Sequence, residues 1–414
     1  MMILLIALLY ILFEAYLFIR HLNIHNKFAR YKLNDFSKNR MLKMDQKFDV
    51  LIDDIKSDHI DAIQFVHDMH KSGTNLIDLT RESMFAMLKE NIYFPHNMLH
   101  DYQITKINET IDLFEQKLNH KFSNDTKPYR YYQIASEKFN SWYKPVFLKV
   151  LMFGLKTITE INMCRFGYHQ YDLGDGLVAW IKIGSPKCII FFPPSIGGLT
   201  FYQSFIKQIK TDKTVCLFEL AGMSWKHYVT DPPDMNKIAN HVITFLTKLQ
   251  IKKVNMFAHS FGGVVMSHII NNECFDKHNI KLNKTIYIEC PLFHIGIHRT
   301  LKNITKSWHK IIRDAYDNFI IMFLFHRDIY VQFYLQRQMN LCDSILMGTT
   351  NYEKTGNIYA LMAQNDFKFD TQEYINYITK KQLNIQYFIY PDCAHGAFSY
   401  HLGMQQKVLE ILND

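Results

Sequence analysis

Between Val254 and Met266 the chain reads VNMFAHSFGGVVM, and this stretch limits the possible folds more than any other. A short apolar run of strand character meets a serine set among small residues, and an apolar helical run follows at once. A strand that turns straight into a helix through one serine needs small residues two before and two after it. Here these are Ala258 and Gly262, and Gly263 lets the new helix pack close to the strand. In such a turn the oxygen of Ser260 stands clear at the sheet edge and the N–H of Phe261 faces the same space. The tightest form of the turn has glycine at both small positions, so Ala258 is one methyl larger than that form needs. An ordinary glycine-containing turn is the competing reading, and the rest of the chain decides between them.

From about residue 160 short apolar strands alternate with helical stretches, the texture of a parallel α/β sheet. Ile161–Tyr168 and Leu177–Ile183 read as an opening antiparallel pair. Cys188–Phe192 is a buried strand that runs into Pro193-Pro194-Ser195-Ile196-Gly197-Gly198. Val215–Phe218 follows, leading to Glu219-Leu220-Ala221-Gly222, and a helix over Met235–Leu249 crosses back to the strand before the serine. Ile286–Ile288, Ile358–Met362 and Ile385–Ile389 continue the alternation, and a last helix fills about 400–412. Residues 292 to about 350 interrupt it with aromatic, helix-prone sequence.

Upstream, residues 45–156 read as helices, with Phe48, Leu51, Ile52 and Ile55 at helical spacing. Pro145–Phe153 is too short to cross a membrane and reads as core or as an interfacial helix. Met1–Ile19 is almost wholly apolar, broken only by Glu14, and about 18–20 such residues span the hydrocarbon of a bilayer. No basic residue precedes this run and no small-x-small site follows it, which argues against a cleaved leader. Arg20, Lys27, Arg30, Lys32, Lys38, Arg40 and Lys43 come next, with Asp35 the only acid before Asp45. The expectation is therefore a membrane anchor over residues 1–20 in a single-pass protein, with the remaining chain in the cytosol. The basic run could also rest on anionic headgroups. Sequons stand at Asn108, Asn124, Asn283 and Asn303, and glycosylation at any of them would reverse that orientation.

With 414 residues, 48% of them hydrophobic, the chain can build one large core with an appendage. A net charge of +8, gathered partly after the first helix, does not point to nucleic acid. Seven cysteines stand singly, with no CxxC pair, which reads as reduced thiols. The pairs His96/His100 and His294/His298 enclose no glutamate, and no phosphate-cradling glycine loop occurs, so no metal and no cofactor is expected. His-x4-Asp at His96–Asp101 and His309–Asp314 carries no weight, because about one match is expected by chance among 20 histidines.

Over roughly 160–414 the order of parts resembles the α/β-hydrolase superfamily. The loop Pro194–Gly198 stands where that family has His-Gly-x-Gly-Gly, and Glu219–Gly222 where it has Asp-x-x-Gly. Within the superfamily the chain looks most like membrane-anchored lipid hydrolases of the monoacylglycerol-lipase and lysophospholipase type. The resemblance implies an α/β fold with a mostly parallel sheet and a helical lid over about 292–350 in a hydrolase domain of 157–414; the residue spacing upstream makes 21–156 a helical region ahead of it.

Acyl transfer needs a nucleophile, a base, a group that orients the base, and donors for the oxyanion. Ser260 is the candidate nucleophile. His395, in Pro391-Asp392-Cys393-Ala394-His395-Gly396 after the last strand, is the candidate base. Asp366, just past Ala360–Asn365, is the candidate acid and gives the order Ser, Asp, His that the fold implies. Asp370 is the reserve and Glu289 a distant third; an acid at a strand end can equally be a helix cap. The oxyanion donors would be the N–H of Phe261, at the positive end of its helix, and that of Ile196 or Ser195. The aromatic run from Trp308 to Tyr334 reads either as the lining of an acyl pocket or as ordinary lid core. The expectation is a membrane-anchored serine hydrolase of apolar, lipid-like esters. The rivals are an acyltransferase, an amide or peptide hydrolase on the same triad, and an inactive membrane-tethered binding module.

Overall fold

The computed structural model describes residues 2–30, 38–69, 78–93, 99–125, 139, 141–195, 197–225, 229–272, 274–293, 328–338, 356–366 and 368–413. Within helices and strands the side chains of residues 2–7, 38–43, 47, 67–68, 91, 221, 274, 336 and 338 fall outside the described set. Much of the expected lid, and Ile196 with it, lies outside the described residues.

Helices lead the chain: α1 (Met2–Ala29), α2 (Lys38–Lys56), α3 (Ala62–Met69), α4 (Arg81–Tyr93), α5 (Asp101–Leu118) and α6 (Val146–Arg165). Strands β1 (His169–Gly174), β2 (Leu177–Lys182) and β3 (Ser185–Phe192) follow, then α7 (Gln203–Gln208) and β4 (Lys213–Leu220). α8 (Met235–Lys248), β5 (Lys253–His259), α9 (Phe261–Asn271), α10 (Cys274–Lys277) and β6 (Lys281–Ile288) make up the middle. α11 (Ile329–Phe333), β7 (Asn357–Asn365), α12 (Thr371–Lys380), β8 (Ile385–Ala394) and α13 (Leu402–Asn413) complete the described elements.

The eight strands form one sheet in the order β1-β2-β4-β3-β5-β6-β7-β8. β1 pairs antiparallel with β2 and β2 with β4, and every later pairing is parallel. Both faces are covered, so the central strands are apolar on both sides. On β5, Val254, Met256 and Ala258 point into the core shared with α8, α9 and the N-terminal helices, and Phe257 into the core beneath α7 and α13. α8 starts where the Asp234 side chain accepts the Lys237 N–H at 2.8 Å. The N-terminal helices are fastened to the sheet layer: on α12 the Tyr377 hydroxyl donates to buried Asp54 of α2 at 2.6 Å.

Two expectations need correction. The opening strand over Ile161–Tyr168 is instead the end of α6, where Leu148, Met152, Lys156, Thr159 and Met163 are buried at helical spacing. The strand starts only after Gly167, whose φ of 85° breaks the helix. α6 therefore runs across the expected boundary at 156/157.

The other correction concerns the membrane anchor expected over residues 1–20. Among the described residues no helix is long and apolar enough to cross a membrane, so a single-pass anchor is not supported. From Leu8 on, the apolar run meets Glu14 and then Arg20, His21 and Asn23 within one continuous helix. The far end of that helix docks on the protein: Ile24 and Phe28 are buried, and Lys27 pairs with Asp231 at 2.8 Å.

Candidate active site

Ser260 stands at the turn between β5 and α9 with φ 52° and ψ −120°, a conformation that costs a non-glycine residue about 1–3 kcal/mol. Its surroundings hold it there. The Ser260 N–H donates to the Ile288 carbonyl at 3.0 Å, and the Gly263 N–H returns to the Ser260 carbonyl at 3.0 Å. A Cβ on Gly262 would lie 2.0 Å from the Phe192 carbonyl oxygen, and one on Gly263 would lie 2.6 Å from Cys290 Sγ. Both glycines are thus required by close approach of neighbouring chain. The methyl of Ala258 is accommodated, wholly buried.

β7 and β8 deliver the two partners. Asp366 follows β7 and His395 follows β8 at the same sheet edge as Ser260. Asp366 Oδ2 lies 2.8 Å from His395 Nδ1, and His395 Nε2 lies 2.9 Å from Ser260 Oγ. A carboxylate only accepts, so Nδ1 carries the proton and the neutral ring offers Nε2 as acceptor to the serine hydroxyl. The other Asp366 oxygen takes the N–H groups of Lys368 (2.8 Å) and Phe369 (3.1 Å), and the Phe369 ring packs against His395. Burial pushes the Lys368 ammonium below its ordinary range, while the carboxylates of Asp366 and Glu289 pull the other way.

The reserve acids have other partners. Asp370 caps α12, accepting the Glu373 N–H at 3.1 Å. Glu289, at φ 48°, accepts from His259 Nε2 at 2.7 Å and from the N–H groups of Gly396 (2.9 Å) and Ala397 (3.1 Å). It therefore grips the loop immediately after His395. His259 completes a buried chain, its Nδ1 accepting from the Tyr202 hydroxyl. Burial lowers its pKa against the pull of Glu289, consistent with the neutral ring that these two bonds require.

On the oxyanion side, the N–H of Phe261 begins α9, where helix N–H groups have no partner within the helix. Ile196, expected as second donor, lies outside the described residues, and its neighbour Ser195 is buried. The loop beyond it is clamped from below. Glu219 at the end of β4 accepts the Leu199 N–H at 2.7 Å, the Trp180 Nε1–H at 3.1 Å and the ammonium of Lys156 from α6. A Cβ on Gly198 would meet Glu219 Oε1 at 2.2 Å, which explains the second glycine of Gly197-Gly198. Sequence reading missed this pair and His259. The only hint was a lysine on the otherwise apolar and hydroxyl-bearing inner face of α6.

An apolar pocket opens beside the turn, lined by Pro193, Gly198, Phe218, Met223, Phe261 and Val265 among others. Tyr330 of α11 covers Gly222 nearby, and the Tyr334 ring lies 6.1 Å from that of Phe261. Among the described residues no group of three or more His, Cys, Asp or Glu could hold a metal ion.

Sheet order, the reversed second strand and the strained serine between β5 and α9 decide the architecture. The chain has the α/β-hydrolase fold. No family model matches the sequence, and no curated protein matches it. Solved structures of similar shape include a bacterial membrane phospholipase A described as a virulence factor, 13% identical with a TM-score of 0.47, covering 65% of this chain and 92% of that one. A carboxylesterase from Bacillus subtilis is 11% identical with a TM-score of 0.43, covering 64% and 99%. A carboxylesterase from an ammonia-oxidizing thaumarchaeon of the genus Nitrososphaera is 14% identical with a TM-score of 0.41, covering 59% and 97%. Likeness at this level says nothing about substrate, and the assignment of fold rests on the sheet order and the turn.

Proposed function

We propose that this α/β-hydrolase cleaves carboxylic esters with apolar acyl groups through a Ser260–His395–Asp366 triad. The observation that carries the reading is the unbroken hydrogen-bond chain from Asp366 through His395 to Ser260. In this reading the Ser260 oxygen attacks the ester carbonyl as its proton passes to His395 Nε2. Asp366 holds the imidazole in the tautomer that can accept and stabilises the imidazolium that forms. The tetrahedral oxyanion takes the N–H of Phe261, and the Ile196 N–H is the proposed second donor. Collapse breaks the bond to the alkoxy group, which leaves with the proton from His395. Water then attacks the acyl-serine along the same path in reverse, and the carboxylic acid departs.

An apolar acyl group is favoured by the pocket beside Phe261, which offers almost no polar atom to a ligand. Residues 157–414 hold the reacting groups in this proposal, and residues 21–156 are a helical support. Hydrolysis of a 4-nitrophenyl ester series from acetate to dodecanoate tests it. The native chain should release nitrophenol, with kcat/KM rising with acyl length until the pocket is full. Ser260→Ala should lose activity by a factor on the order of 10⁴–10⁶. A Ser260→Ala variant as active as the parent ends the proposal.

A further inference from the structure

The outward face of α6 is apolar where a surface helix is ordinarily polar. Phe147, Val150, Leu151, Leu155, Ile158 and Ile161 fall on one stripe, each at least 40% exposed, with Phe147 and Val150 at 64%. The buried face of the same helix is also mostly apolar, with Leu148, Met152 and Met163 beside Lys156 and Thr159, so α6 carries apolar side chains both toward the sheet and outward. The stripe is about 21 Å long at the rise of an α-helix. α1 is stranger still. Leu8, Leu9, Tyr10, Ile11, Leu12 and Phe13 are all exposed, which covers more than a full turn, so this stretch offers apolar side chains all round, with the Tyr10 hydroxyl its one polar group.

The two surfaces meet. The Glu14 carboxylate accepts the Val146 N–H at 2.8 Å, at the first residue of α6, and also the Tyr143 hydroxyl. Phe18 of α1 packs edge-on against Tyr143 at 5.4 Å. The one acid in the apolar run of α1 thus binds the helices together. Its hydrogen bonds from Tyr10 and Tyr143 hold it below the usual carboxylate range. Beside this joint gather Arg20, Lys144 and Lys149, against Glu14 and Asp328. Burial, with Lys144 and Arg20 close by, brings Lys149 down to about 8.

A protein partner covers one face of a helix, whereas Leu8–Phe13 offers apolar atoms all round, and a helix of that kind belongs in a core or a bilayer. Tyrosines at 10 and 16, with Arg20 and Lys149 at the joint, add the aromatic and basic residues that sit at headgroup level. We propose that the outer face of α6 and the exposed stretch Leu8–Phe13 of α1 form one docking surface for an anionic lipid bilayer, seated in the boundary between headgroups and acyl chains. The stripe of α6 would lie in the plane of one leaflet while the all-round apolar stretch Leu8–Phe13 sinks among that leaflet's acyl chains, and no helix need cross the membrane. The surface also touches the neighbourhood of the serine. Lys144 pairs with Asp328, the N-cap of α11, and Phe28 of α1 packs on Tyr330 and Phe333 at 5.9 and 4.4 Å.

Flotation of the full chain with phosphatidylcholine vesicles, with and without phosphatidylserine, is the test. Ser260→Ala protein is used so that no lipid is consumed. The full chain should float with the vesicles, more completely with phosphatidylserine. Val150→Gln, Leu151→Gln and Ile158→Gln together should weaken binding at least about tenfold. Because these side chains are exposed, melting temperature and activity on a water-soluble ester in the wild-type serine background should not change. In an Ile158→Cys chain with Cys164, Cys274 and Cys342 changed to serine, where the other thiols are buried, a polarity-sensitive thiol label should shift to the blue on vesicles. Four results would overturn the proposal: no binding to phosphatidylserine vesicles, full binding by the triple variant, a label at 158 that stays in water, or no vesicle binding together with a dimer that the triple variant dissolves. The last would assign the face to a second copy of the chain.

Discussion

Replacing Lys156 with methionine isolates a deeply buried ion pair near the site. Lys156 and Glu219 are each only 2% exposed and form an ion pair. In Lys156→Met the Glu219 carboxylate stays buried with two donors left, the Leu199 N–H at 2.7 Å and the Trp180 Nε1–H at 3.1 Å. Removing one partner of a buried pair costs about 3–5 kcal/mol, and two retained donors place the loss near 3 kcal/mol. Adding Glu219→Gln removes the stranded charge but sets an amide N–H₂ against one of those donors, a cost of about 1–3 kcal/mol. The double variant should therefore regain on the order of 1–2 kcal/mol over Lys156→Met. Urea unfolding read by tryptophan fluorescence measures both, with the midpoint shifting and the slope held. A loss below about 1 kcal/mol in Lys156→Met, or a double variant no more stable than it, would refute the reasoning.

Further outcomes follow from the same geometry. Glu289→Gln should lower kcat on soluble esters about 10–100-fold with little change in KM, because the loop after His395 loses charge-assisted anchors; steady-state kinetics decide this. Gly262→Ala should cost more than about 3 kcal/mol, since its Cβ meets a backbone carbonyl at 2.0 Å, whereas Ala258→Gly should leave activity in place; expression and thermal melts compare them. Stability should fall as pH drops below about 6.5. His259 has a lowered folded pKa, so the unfolded chain binds more protons there. His21, pushed down to about 4 by burial, adds to the same loss, and melting curves at pH 8 and 5.5 should converge in His21→Gln with His259→Gln.

How far the sequence led depends on the range of each cause. The serine turn was legible because its demands are met within five residues, Ala258 to Gly262. Asp366 and His395 were readable because a parallel sheet puts strand ends on one edge, so position in the alternation stood in for distance. Ile161–Tyr168 misled because a short apolar run does not reveal its period, and the burial of Lys156 and Thr159 that extends α6 depends on Glu219 and Gln203, distant in the chain. Glu289 read as a spare acid, since only the offset between β6 and β8 brings it under Gly396. The first helix read as a spanning anchor from the apolar run Met1–Ile19, whereas the described part of that run, from Leu8, is too short and too soon followed by Arg20 and His21 to support a span. Glu14 tied to Val146, and Phe28 packed against Tyr330, are facts of packing.

The central claim is that Ser260 is a nucleophile activated by His395. A fluorophosphonate probe, followed by peptide mass analysis, tests it on the full chain with fewest assumptions. The account predicts one phosphonyl adduct, on Ser260, lost in Ser260→Ala and strongly slowed in His395→Ala. A native chain that stays unlabelled, or an adduct on any other residue, contradicts it.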